Sequence, residues 1–133
     1  MQNLFMDRKI LKTLIQWKEQ KADRLPLLLY GARQVGKTHT LIEFGNEYYK
    51  NTIHINFEKM LAVHDYFSDD LSPNKIIRLL EKHFNEKIIP AETLIIFDEV
   101  QLCERALTSL KYFAEEALEY DVIAARFFAW CCN

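Results

Sequence analysis

Glycine, proline and cysteine are all scarce in this chain of 133 residues, which has three of each. The cysteines, Cys103, Cys131 and Cys132, are odd in number and form no C-x-x-C pair, which argues against a disulfide framework and against a zinc site. No apolar run approaches the roughly 20 residues of a transmembrane helix, and the amino terminus lacks the layout of a signal peptide. We therefore expect a cytoplasmic protein without a membrane segment.

The chain also lacks an excess of positive charge, because its formal net charge is −2 and its isoelectric point is near 6.1. Nucleic acid is therefore not indicated as a partner, and neither is an anionic membrane surface. Half of the residues are hydrophobic and 13% are aromatic, which allows a packed core and argues against wholesale disorder. The length limits the chain to a single domain.

The few glycines make their positions informative, because two of the three lie in one short segment. That segment fits the phosphate-binding pattern G-x-x-x-x-G-K-[ST] without a mismatch; its residues are Gly31, Ala32, Arg33, Gln34, Val35, Gly36, Lys37 and Thr38. An apolar run at 27–30 precedes it and a helical pattern at 38–44 follows it. A glycine-rich turn that only joins a strand to a helix is the alternative interpretation.

This arrangement of residues suits an anion for simple physical reasons. Glycines allow a tight loop whose backbone N–H groups turn inward, and the following helix adds the positive end of its dipole. Lys37 can reach the terminal phosphates of a nucleotide, and the Thr38 hydroxyl can ligate Mg²⁺. We include His39, the next residue, in the predicted nucleotide-binding set.

The order of predicted elements is that of a parallel α/β sheet with helices on its faces, which is the P-loop NTPase architecture. Apolar or alternating runs predict strands at 27–30, 52–57, 93–97 and 122–125. Helical spacing predicts helices at 8–20 (capped by Asp7), 38–44 (ended by Gly45), 58–67, from Ser72-Pro73 onward, and 104–119. His54 is interpreted as a strand side chain, because no partner cluster stands near it in sequence.

Asp98 and Glu99 follow the apolar strand at 93–97 and supply the second half of the predicted site. In open parallel sheets ligands bind beyond the carboxyl ends of the strands, where the glycine-rich loop also lies. We predict that Asp98 holds Mg²⁺ and that Glu99 orients the attacking water, with Lys37 as the other catalytic residue. An exposed strand end with two carboxylates is the ordinary alternative.

Several segments together resemble a group of bacterial and archaeal AAA-type ATPases; they are 24–38, 55–58, 93–101 and 108–113. The resemblance runs from about Arg8 to Ala125 and implies ATP binding, hydrolysis through Glu99, and Mg²⁺ at Thr38 and Asp98. Full-length members carry a further C-terminal domain with a nuclease-like fold. In their sheet the first strand lies between the fourth and a fifth strand. No fifth strand is evident here, so we expect residues 27–30 to form an exposed edge through which the chain self-associates.

Two other functions remain open at this point. A fragment without a lid or an arginine finger could be a non-catalytic, partner-binding remnant with little affinity for nucleotide. A small-molecule kinase is the third hypothesis, although Glu99 and the absence of an arginine-rich lid argue against it.

We interpret residues 126–133 as an aberrant tail produced by a frameshift, because two phenylalanines, a tryptophan and two cysteines crowd into them. A genuine short tail, with Arg126 as a sensor or a solvated side chain, is the alternative. The family continues after this point with Gly-Ser-Leu-Leu-Gly, and the codons of Arg126 to Trp130, shifted by one base, permit that sequence. In the shifted frame, the codon of Trp130 together with the first base of the Cys131 codon can encode only Gly. We expect the gene to encode this continuation in the shifted frame, followed by a long open frame. Codons that do not encode it would refute the interpretation.

Overall fold

A computed structural model describes residues 7–20, 24–32 and 36–128 of the chain. Helices and strands alternate along them; in order they are α1 (Arg8–Glu19), β1 (Leu27–Ala32), α2 (Lys37–Tyr48), β2 (Asn51–Asn56), α3 (Pro73–Phe84), β3 (Thr93–Asp98), α4 (Glu104–Glu116) and β4 (Asp121–Phe128). Two 3₁₀ segments, Leu61–Phe67 and Val100–Leu102, lie between them. Within these ranges no helix has the length and apolarity needed to cross a membrane.

The strands form one parallel sheet in the order β1-β4-β3-β2. The predicted α/β fold class is therefore confirmed. β3 and β4 lie in the centre, and β3 is buried along its whole length. β1 lies at an edge, where Tyr30 is 66% exposed. The self-association expected from this edge stays a prediction.

Two hydrophobic cores cover the two faces of the sheet, because successive side chains of a strand point to opposite sides. On one face α1 and α2 pack against the sheet; the buried residues include Leu14, Trp17, Leu41, Phe44, Leu94, Ile96, Ile123 and Phe127. On the other face α3 and α4 pack; the buried residues include Ile53, Ile55, Ile76, Leu80, Ile95, Phe97, Phe113 and Val122. The sheet is thus doubly wound, with helices on both sides.

The predicted starts of two helices are confirmed. The Ile10 backbone N–H donates to Asp7 Oδ1 at 3.0 Å, so Asp7 caps α1. The Lys75 backbone N–H donates to Ser72 Oγ at 3.4 Å, and Pro73 occupies the first turn of α3. Both caps satisfy N–H groups that have no partner inside the helix.

Other boundaries differ from the prediction. Residues 58–67 form a turn followed by a 3₁₀ helix and not an α-helix, and α4 ends at Glu116, three residues before the expected end at 119. β4 is longer than predicted and continues to Phe128, because residues 126–128 pair with Tyr30, Gly31 and Ala32 of β1. The first part of the segment interpreted as a tail therefore belongs to the sheet. Residues 129–133 lie outside the described residues.

Gly45 does not end α2 as predicted, since the helix continues to Tyr48 and Gly45 is buried inside it. A Cβ atom at Gly45 would lie 2.2 Å from Thr52 Oγ1 and 2.9 Å from Thr52 Cγ2. The glycine is needed because it lets α2 approach β2 closely, and not because it stops the helix.

We predict that Gly45→Ala destabilises the fold by about 1–3 kcal/mol, the usual cost of overpacking, despite alanine's higher helix propensity. Urea unfolding measures the change. Asn46→Ala, on the exposed side of the same helix, is the control and should be neutral or stabilising. Adding Thr52→Ala should restore part of the loss, because it removes the clashing atoms. Equal stability of Gly45→Ala and Asn46→Ala would contradict the steric explanation.

Candidate functional site

The carboxyl ends of all four strands lie along one rim of the sheet, because every strand pair is parallel. The register there aligns Gly31 with Phe127 and Asn56 with Asp98. β1 leads at this rim toward Gly36 and α2, and β3 ends there in Asp98. The predicted residues Arg33, Gln34 and Val35 lie outside the described residues. The site is therefore described from the residues on either side of them and from the end of β3.

Gly36 begins α2 in a conformation that favours glycine. Its φ of 101° lies in the left-handed region, which residues with a Cβ rarely adopt. Its carbonyl oxygen accepts hydrogen bonds from the Thr40 N–H at 2.9 Å and from the Thr40 hydroxyl at 2.6 Å. The second glycine of the motif is thus required by the backbone turn into the helix.

Lys37 lies in the first turn of α2, and its amine folds back over β1. Nζ is 3.3 Å from Asp7 Oδ2 and 5.7 Å from the centre of the Phe127 ring, and the side chain is largely buried. A Cβ at Gly31 would lie 3.6 Å from this amine, an ordinary contact distance. The cation expected to bind phosphate is therefore paired with a carboxylate in this structure.

Asp7 makes that pairing from the start of α1 and was predicted only as a cap. Oδ1 accepts from the Ile10 N–H, Oδ2 binds Lys37, and the Asp7 N–H donates to Thr40 Oγ1 at 2.6 Å. Burial raises the pKa of Asp7, but the hydrogen bond from Ile10 and the Lys37 ammonium outweigh it and hold the pKa below its usual value. No pattern in the sequence links Asp7 to Lys37, because the contact joins two helices.

Asp98 ends β3 with a buried side chain whose two oxygens have different surroundings. Oδ2 accepts a hydrogen bond from the His54 Nε2–H at 2.9 Å, whereas Oδ1 is buried and has no hydrogen-bond partner within the described ranges. His54 is a strand residue, as predicted. Its contact with Asp98 was missed, although its separation from Asn56 by two positions places it on the same face of β2.

Glu99 follows directly and has a strained backbone. Its φ of 57° and ψ of 45° lie in the left-handed region, which costs a residue with a side chain about 1–3 kcal/mol. The side chain is buried, and Oε1 accepts a hydrogen bond from Gln101 Nε2 at 2.8 Å. Such strain is concentrated at functional sites, and Gln101 is a second contact that the sequence did not reveal.

The remaining predicted residues lie in the first turn of α2. Thr38 is partly buried and His39 is exposed, both close to the positive end of the helix dipole. In residues 7–20, 24–32 and 36–128, no group of three or more His, Cys, Asp or Glu side chains is placed to hold a metal ion.

A doubly wound parallel sheet whose first strand leads through a glycine turn into a helix defines the class of P-loop nucleotide-binding domains. A family model described as an AAA domain matches residues 23–125, and the chain belongs to this family of nucleotide-binding, ATPase-like domains. The match ends at Ala125, as predicted from the resemblance, but it begins at residue 23 and not at about Arg8. Asp7 and α1 therefore lie outside it. No curated protein and no solved structure matches the chain.

Proposed function

We propose that this protein binds ATP together with Mg²⁺ at the carboxyl rim of its sheet. One observation carries the proposal: Lys37 at the amino end of α2 lies on the same rim as Oδ1 of Asp98 at the end of β3, a buried oxygen without a hydrogen-bond partner among the described residues. A cation-binding oxygen and an anion-binding amine on one rim are what a metal–nucleotide complex requires.

The binding of phosphate would begin with an exchange of anions at Lys37. A carboxylate oxygen of Asp7 is 3.3 Å from the amine, which is a contact that a phosphate oxygen would replace. The positive end of the α2 dipole lies beside this amine and adds to the attraction. ATP would therefore bind in competition with the amino end of α1.

Thr38 and Asp98 suit a hard cation. Mg²⁺ prefers oxygen ligands and takes only one or two from the protein, the rest coming from phosphates and water. The buried Oδ1 of Asp98, which has no hydrogen-bond partner in the part of the chain that the structure describes, and the hydroxyl of Thr38 fit that requirement. The metal ion would neutralise charge on the phosphate oxygens.

Hydrolysis belongs to the proposal through Glu99. Its carboxylate would accept a proton from the water that attacks the terminal phosphorus, as ADP departs with the bond electrons. Gln101 holds Oε1, which fixes the orientation of the carboxylate. The alternative function, a partner-binding remnant without nucleotide affinity, is separated from this one by the binding experiment below.

We predict that a fluorescent ATP analogue binds in a Mg²⁺-dependent manner and that Lys37→Ala weakens binding at least about tenfold, because charged hydrogen bonds are lost. Asp7→Asn keeps a residue that can cap α1 and should raise the affinity by up to about fivefold, the range for a partly exposed ion pair. Fluorescence titration measures both.

Asp69→Asn serves as the matched control, since it removes the exposed ion pair with Lys75 and should leave the affinity unchanged. Equal binding by wild type and Lys37→Ala would refute the site. Unchanged affinity in Asp7→Asn would refute the competition between Asp7 and phosphate.

We predict that turnover by this chain alone stays well below about 1 s⁻¹, because Lys37, Thr38, Asp98 and Glu99 include no arginine finger. Such an arginine, which stabilises transition-state charge, is worth about 10³–10⁵ in related enzymes. Glu99→Gln should lower the remaining phosphate release but keep ATP binding, whereas Glu115→Gln on the exposed face of α4 should change neither. Fast turnover by the chain alone, or full activity of Glu99→Gln, would contradict this assignment.

A further inference from the structure

His54 is placed by the sheet against the carboxylate that ends the neighbouring strand. The register of β2 and β3 aligns His54 with Ile96 and Asn56 with Asp98, so His54 and Asp98 are diagonal neighbours. Residues 54 and 98 point to the same face of the sheet, the face covered by α2. The result is the 2.9 Å contact between Nε2 and Oδ2.

The chemistry of the pair fixes the direction of this hydrogen bond. An ionised carboxylate can only accept, so the hydrogen lies on His54 Nε2. The His54 side chain is 25% exposed and that of Asp98 only 2%, so the buried carboxylate is hydrogen-bonded to a side chain that solvent partly reaches. Oδ2 is thereby occupied, and Asp98 presents Oδ1 as its remaining acceptor.

We propose that His54 is a positioning residue, which holds Asp98 in the rotamer that directs Oδ1 toward the Mg²⁺ accompanying ATP. The inference rests on the proposed function and adds a residue to it. Partners that orient a metal-binding side chain typically change metal affinity by about 10–100-fold when they are removed. A second oxygen left without a partner would allow the carboxylate to rotate and would weaken its hold on the ion.

A purely structural role makes a different prediction. If His54 only satisfies a buried carboxylate, its loss should lower the stability of the fold and leave the dependence of binding on Mg²⁺ unchanged. The Mg²⁺ affinity therefore separates the two roles, provided that it is measured without urea, where the wild type and the variant are both folded.

We predict that His54→Leu, which removes the donor and retains an apolar strand residue, raises the Mg²⁺ concentration for half-maximal binding of a fluorescent ATP analogue about 10–100-fold. Its affinity for the analogue in EDTA should equal that of the wild type. His54→Gln, which restores an N–H donor of similar reach, should recover most of the Mg²⁺ affinity. His54→Asn, with a shorter side chain, should not, and it replaces His54→Leu if that variant does not fold.

His64→Leu is the matched control. His64 is also partly buried and also uses Nε2 in a hydrogen bond, here with the Phe57 carbonyl oxygen at 2.8 Å. Its ring packs against Phe57, which belongs to the core on the opposite face of the sheet. Its loss should leave the Mg²⁺ dependence unchanged. Nitrogen-15 NMR of the metal-free wild type should show His54 with hydrogen on Nε2, which tests the contact without nucleotide.

The outcomes separate the inference from the function on which it rests. Mg²⁺-dependent binding in the wild type with the same Mg²⁺ affinity in His54→Leu and His54→Asn would overturn the role of His54 and leave the proposed function standing. Absence of any Mg²⁺ effect in the wild type would overturn both. Equal weakening of binding with and without Mg²⁺ would assign His54 a structural role only.

Discussion

The parallel pairing of β1 with β4 and of β4 with β3 is the constraint on which the rest of the structure depends. Parallel strands end at the same edge, so this pairing brings the start of α2 and the carboxylate of Asp98 to one rim although they are far apart in sequence. An antiparallel partner would place one of them at the opposite edge. The apolar, fully buried β3 makes the arrangement stable, because both of its faces are covered by helices.

Three contacts involve side chains of the candidate site, and two of them come from other elements of the fold. Asp7 of α1 holds the Lys37 amine, His54 of β2 holds one oxygen of Asp98, and Gln101 holds Glu99. Under the proposed function, a bound nucleotide would replace the contact between Asp7 and Lys37 but could leave those of Asp98 and Glu99 in place.

The prediction of the fold from sequence worked where local pattern and packing agree. The strand at 93–97 and the helix starts at Asp7 and Ser72 follow from apolar runs and from side chains that cap free N–H groups. It failed where a distant contact overrides a local preference. The glycine at position 45 suggested a helix end, but it is there because Thr52 of β2 leaves no space for a side chain. The sequence does not reveal which strand a helix will contact.

For the site, the sequence by itself determined the chemical groups and their order: a glycine-rich loop, Lys37 and Thr38 at a helix start, and Asp98 and Glu99 after a buried strand. A local pattern is enough to predict these groups, because each of them lies directly beside the strand or helix from which it was recognised. Only the tertiary structure decided what they touch. The partners Asp7 and His54 come from other elements, and their contacts arise from sheet register and helix packing, which depend on the whole chain folding together.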